Sequence, residues 1–202
     1  MSTLPTILTA FESKRSGRCF RRSVFTAAVL LIGLLGVSGC SSTMKNTTPK
    51  SLATVKSVDL DRYMGRWHVI AYTPNFFEDG KVATSDNYVK HADGTMAADY
   101  VFRRKNFEAP EKTWHGKAWV TNTQTNAEWK VRLFWPFTSD YLILELDADY
   151  RWAVVASNGG KLVWVLAREH TLPDSVYTDL LKRIDARGLD SSRLARVPQP
   201  GS

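Results

Sequence analysis

Cysteine is nearly absent from this chain: there are two, Cys19 and Cys40, both in the first fifth of the sequence. Whatever folds beyond position 40 has no disulfide available and must be held by its core alone. Long apolar runs are missing too. The one run of note, Ala27 to Gly36, is shorter than the ~20 residues a transmembrane helix needs. The four histidines, His68, His91, His115 and His170, are scattered without ligand spacing and have no cysteine to join them, so neither a metal nor another cofactor is expected. Gly-x-Ser-x-Gly, phosphate-loop and dinucleotide fingerprints are lacking, and catalysis has little support. A surplus of positive charge is present, but it is in the wrong place for nucleic acid. Lys14, Arg15, Arg18, Arg21 and Arg22, against Glu12 alone, precede position 40 and leave 22 basic and 19 acidic residues, a net +3, for the rest. No basic run interleaved with stacking aromatics occurs there, which excludes nucleic acid as a partner.

What is present begins with an address. The basic stretch Lys14 to Arg22 and the apolar run after it have the layout of a secretory signal peptide. The run ends in Val37-Ser38-Gly39-Cys40, which resembles the bacterial lipobox: a branched apolar residue, two small residues, then a thiol that can take a diacylglyceryl group. The resemblance implies residues 1–39 as leader, Cys40 as the acylated mature N-terminus, and, with Ser41 rather than Asp following, anchoring in the outer membrane on its periplasmic face. Residues 40–57, rich in Ser, Thr, Asn, Pro and Lys, suit a flexible tether.

After Asp59, period-two segments recur between turn residues, the pattern of an antiparallel sandwich or barrel. The alternation predicts strands near 65–73, 83–91, 95–103, 114–121, 128–135, 141–147, 150–157 and 161–168, an all-β domain over 58–202. Breakers separate them, among them Ala92-Asp93-Gly94, Pro136, Asp147-Ala148-Asp149 and Asn158-Gly159-Gly160. One helix follows. Pro173 and Asp174 suit its first turn, Val176, Leu180 and Ile184 share one face, and Lys182, Arg183 and Arg187 complement the dipole before Gly188. A single apolar face predicts packing on the outside of the sheet, against Val163, Val165 and Ala167 of the last strand.

Three segments carry a family resemblance. Gly65-Arg66-Trp67 opens the first strand, Leu146-Asp147-Ala148-Asp149-Tyr150-Arg151-Trp152 forms the turn between the sixth and seventh, and Val163-Trp164-Val165-Leu166-Ala167-Arg168 ends the eighth. Together they resemble the lipocalin family, and within it the bacterial outer-membrane lipoprotein branch related to apolipoprotein D. The resemblance covers about 58–201 and implies an eight-stranded up-and-down barrel, a calyx, with the helix outside. It implies that Gly65, Trp67, Asp147, Tyr150 and Arg168 meet at the closed end, where Gly65 permits close chain approach and Arg168 lies across the indole of Trp67. These residues are expected to hold the floor shut rather than to bind ligand.

The opposite end is then open, with loops near 74–82, 103–113, 135–140 and 157–161 at the mouth. Alternation from Trp67 points Val69 and Ala71 inward, and alternation back from Arg168 does the same for Leu166, Trp164 and Leu162. The second and third strands offer Tyr88, Ala98, Tyr100 and Phe102; the fifth offers Trp129, Val131 and Leu133. Such a wall suits an acyl chain with its polar head near the rim, where Arg103, Arg104 and Lys105 either meet a phosphate or carboxylate or form a solvated loop. Phe76-Phe77 and Trp135-Pro136-Phe137 also fall at the mouth, where a membrane or a partner is one use for them. The resemblance implies a non-enzymatic binding protein for fatty acids or lysophospholipids, held to the membrane by its N-terminal acyl groups. A scaffold with a filled barrel and a lipid-modifying enzyme are the alternatives, and the sequence does not decide between a monomer and a homodimer.

Overall fold

The computed structural model describes residues 52–201. The leader, Cys40 and the tether up to residue 51 lie outside the described residues. Nine strands follow one another around a barrel: β1 (Gly65–Tyr72), β2 (Lys81–Lys90), β3 (Met96–Arg104), β4 (Lys112–Trp114), β5 (Lys117–Val120), β6 (Glu128–Phe134), β7 (Phe137–Leu146), β8 (Trp152–Ser157) and β9 (Leu162–Ala167). Neighbours pair antiparallel, and β9 returns to β1 through His68↔Ala167 and Tyr72↔Trp164, which closes the sheet. Closure removes the two free edges that an open sheet would present. Both β4 and β5 pair with β3, so together they occupy one position in an eight-stranded barrel.

The break between β4 and β5 has a steric cause. At Gly116 a Cβ would stand 2.6 Å from the Ala98 carbonyl oxygen and 2.7 Å from Leu133 Cδ2. The strand passes too close to its neighbours there for any side chain, so the expected continuous strand over 114–121 is two pieces. The expected loop at 135–140 is also corrected. Pairing of β6 with β7 continues to Phe134↔Phe137, leaving Trp135-Pro136 as a two-residue turn.

Bulges re-aim side chains in β1 and β2. In β1 the register passes from Val69↔Leu166 to Ala71↔Val165, so one extra residue reverses the alternation after Val69. In β2 the register shifts between Val82 and Ser85, with Ala83 at φ 52°. The C-terminal segment covers both irregularities. The short strand β10 (Ala195–Arg196) pairs with β1, and the Val197 amide donates to the Ile70 carbonyl at 3.0 Å. The Ala83 amide donates to the Pro198 carbonyl at 2.8 Å, and buried Gln199 donates through Nε2 to the carbonyls of Val69 and Thr84 at 2.8 and 2.9 Å. Backbone groups that the bulges free from the ladder are thereby satisfied.

Two apolar clusters lie on the two faces of the sheet. Outside, α2 (Asp174–Ala186) buries Tyr177, Leu180 and Ile184 in the cluster that holds Ile70, Ala71, Val163, Val165 and Ala167. Full burial of each large aliphatic side chain contributes about 1.5–3 kcal/mol, more than the intrinsic helix preference of a segment this short. Arg187 at the end of α2 donates to Glu145 Oε1 at 2.6 and 2.8 Å and to the Leu144 carbonyl at 2.7 Å, tying the helix to β7. Inside, Trp67, Trp129, Tyr63, Tyr88, Tyr141 and Leu166 belong to the cluster that closes one end of the barrel.

Candidate functional site

The closed end is built around Arg168. Its guanidinium lies 3.8 Å from the ring centre of Trp67. Nη2 donates to the carbonyls of Arg62 at 2.7 Å and Tyr63 at 3.1 Å, and Nη1 to that of Arg66 at 2.8 Å. The first two acceptors come from α1 (Leu60–Tyr63), a short helix in which the amides of Asp61 and Arg62 donate to Asp59 Oδ1, and the third from the start of β1. Trp67 Nε1 donates to the Tyr63 carbonyl at 2.8 Å, so one carbonyl serves both the indole and the cation. Tyr150, at φ 61°, accepts from the Asp59 amide through its hydroxyl at 2.8 Å, and Asp147 holds Arg151 by two side-chain bonds of 2.8 and 3.0 Å. Gly65 has φ 91°, whereas a Cβ there would meet Arg168 Nη1 at an ordinary 3.5 Å. Its role is therefore the left-handed backbone rather than close approach.

Above this floor lies a chamber of about 470 Å³, within the range of small-molecule sites. Of the residues that alternation points inward, Val69, Tyr88, Ala98, Tyr100, Val131, Leu133, Leu162 and Trp164 line it. Four others do not, and of these Leu166 packs in the floor cluster. Ala71 lies beyond the β1 bulge and packs in the outer cluster with α2. Trp129 belongs to the floor, where it stacks on Tyr141 at 5.1 Å and meets Tyr63 edge-on at 5.2 Å. Phe102 is fully buried behind Trp114, 4.8 Å away, and Tyr100, 5.5 Å away.

The chamber also holds polar groups that the sequence reading does not name. Asp86 lines it two residues before Tyr88, on the same side of β2, and accepts a hydrogen bond from the Tyr88 hydroxyl at 3.3 Å. Burial, reinforced by the charge of Glu78, pushes the Asp86 carboxyl up to about 7, against the hydrogen bond from Tyr88. Glu78 comes from the loop between β1 and β2, which folds into the barrel and leaves this side chain 9% exposed. Its Oε1 accepts from Asn75 Nδ2 at 3.0 Å and Trp164 Nε1 at 2.8 Å. Burial raises the Glu78 pKa, while these bonds and the charge of Lys81 oppose the rise. Alternation from Tyr88 was the available signal for Asp86. Glu78 had none, because loop residues carry no periodicity.

At the mouth, Phe76 is 91% exposed and Trp135 82%, with Phe77 and Phe137 beside them in exposure. A second hollow of about 480 Å³ there is lined by Phe76, Phe77, Lys81, Arg104 and Lys105, among others. Arg103 is turned away into its own loop, where Nη1 donates to the Ala109 carbonyl at 2.6 Å and Nη2 lies 3.7 Å from Glu111. Among the described residues, no group of three or more His, Cys, Asp or Glu side chains is placed to hold a metal ion.

A closed antiparallel barrel with one sealed end and one apolar chamber defines a calyx, a container for a small ligand. The chain belongs to the lipocalin family: residues 58–199 match the lipocalin-like domain. It is 32% identical over 180 residues to the outer membrane lipoprotein Blc of Escherichia coli K12, covering 88% of this chain and 94% of the relative. Identity is 28% over 162 residues to temperature-induced lipocalin-1 of Arabidopsis thaliana, covering 76% and 86%. Among solved structures, insecticyanin of the tobacco hornworm Manduca sexta is similar in fold, with a TM-score of 0.57 at 17% identity over 72% of this chain and 83% of that one.

Proposed function

We propose that this protein is a membrane-anchored envelope lipoprotein that stores or transports fatty acids or lysophospholipids in its calyx without altering them. The observation that carries the reading is the chamber itself, walled by Val69, Val131, Leu133 and Leu162 and floored by aromatic rings. An acyl chain buried there leaves water at a gain of about 0.8 kcal/mol per methylene. Similarity to lipoproteins named for the outer membrane supports the same location for this chain.

Trp164 provides the test. Its ring lines the chamber, and its Nε1 is held by Glu78, so a ligand entering past it changes its surroundings. Titration with palmitate or a lysophospholipid is expected to change indole emission, and Trp164→Phe should remove most of that change while calorimetry shows binding only modestly weakened. No binding of either lipid would remove this function. Buried Glu78 and half-buried Asp86 supply acids, the feature a lipid-modifying enzyme would need, so the bound lipid should also be recovered afterwards; its hydrolysis would displace the storage reading.

The anchor is tested separately. Cys40→Ala is expected to block incorporation of a palmitate analogue and to release the protein from the membrane fraction. Unchanged fractionation, with no label in the unsubstituted protein, would rule out acylation at Cys40.

A further inference from the structure

Two chemistries meet in the chamber wall. Val69, Val131, Leu133 and Leu162 are apolar, whereas Glu78, Asp86 and Tyr100 bring two carboxyl groups and a phenol to the same space. No Lys, Arg or His is among the residues lining the chamber. We propose that the part of the wall formed by Glu78, Asp86 and Tyr100 is a subsite for positive charge, so that the calyx prefers a single-chain amphiphile carrying an ammonium group to a carboxylate of equal chain length. This inference rests on the lipid-binding function above and names the head group it selects.

Two unfilled polar atoms point to a ligand. Both hydrogen bonds to Glu78 fall on Oε1, and the buried Oε2 has no hydrogen-bond partner. The Tyr100 hydroxyl, on a side chain 5% exposed, also makes no well-formed hydrogen bond, although Glu78 and Thr84 are its polar neighbours. A buried acceptor left unmatched costs about 1–3 kcal/mol, and more when charged. An ammonium donor entering the chamber supplies the missing partner for Glu78 and an opposite charge for Asp86.

The surrounding rings favour the same occupant. Lys81, just outside, already rests its ammonium over aromatic faces, 4.2 Å from the Trp114 centre and 4.8 Å from that of Phe102. Yet Lys81 makes no ion pair with Glu78 within 4.0 Å, so it does not complete the carboxylate. A fatty-acid carboxylate drawn to the same depth meets like charge on two sides in a poorly screened space. At the rim, Lys81, Arg104 and Lys105 attract that anion instead and keep its head outside.

The experiment compares dodecylamine with laurate, each below its micelle concentration, by calorimetry at pH 8 on the full-length chain carrying Cys40→Ala. At that pH Asp86 is mainly ionised, since its carboxyl titrates at about 7. The amine is expected to bind at least tenfold more tightly than the acid. Glu78→Gln keeps an oxygen for Asn75 and Trp164 while removing the charge, and Asp86→Asn removes the second. Together they should weaken the amine at least tenfold and tighten laurate. If Glu78→Gln does not fold, Asp86→Asn alone should shift the preference in the same direction. Laurate binding as tightly as the amine, or a preference that both substitutions leave intact, overturns the subsite but not the lipid-binding function. Failure of both probes to bind overturns both.

Discussion

Arg168→Ala is expected to lower the unfolding free energy by about 3–5 kcal/mol while leaving ligand affinity nearly unchanged. The substitution strips charged donors from the carbonyls of Arg62, Tyr63 and Arg66, each bond contributing about 1.5–3 kcal/mol. It also removes a cation from the face of Trp67, a contact of about 0.5–2 kcal/mol. The total is less than the sum because water reaches the exposed carbonyls of Arg62 and Arg66. For a domain of this size the loss corresponds to a fall in Tm of roughly 10 °C. Thermal and denaturant unfolding measure it, and Arg168→Lys should recover only part, since an ammonium cannot reproduce the fork. Unchanged stability with collapsed affinity would reassign Arg168 to ligand recognition.

Ala98→Trp is expected to abolish binding without unfolding the barrel. Ala98 lies on the chamber wall opposite Tyr88 in the β2–β3 ladder, and its small side chain leaves space that an indole would occupy. Overpacking costs about 1–3 kcal/mol, which a closed barrel of this size tolerates. Calorimetry with palmitate should show no heat of binding, and far-ultraviolet dichroism should retain the β signature. Binding equal to that of the unsubstituted protein would move the ligand out of the calyx and to the mouth, where exposed Phe76 and Trp135 offer the other apolar surface.

Much of the frame was legible because the residues report it locally. Hydrophobic alternation located the eight barrel positions, and four-residue spacing of Val176, Leu180 and Ile184 located α2 and the face it buries. Gly65, Trp67 and Arg168, far apart in the chain, were legible as a unit only through the family resemblance. The site was read less completely. Alternation counts residues and assumes an unbroken ladder, so the bulge after Val69 carried Ala71 to the outer face unseen. Asp86 shares the parity of Tyr88, but the wall was read from apolar and aromatic side chains alone, which left it out. Trp129 and Phe102 have inward parity, yet neighbouring rings cover them, and parity says nothing about depth.

Composition and periodicity by themselves determined a disulfide-free all-β domain with an outer helix, because burial of apolar faces is a property of each segment. Tertiary structure decided what the chamber contains. Folding of the β1–β2 loop into the barrel buries Glu78, and its bond to Trp164 joins residues 86 positions apart. The same holds for Gln199, which reaches back to β1 and β2 and seals their bulges. Contacts of this kind depend on where distant backbone groups remain unpaired, and that is settled only when the barrel closes.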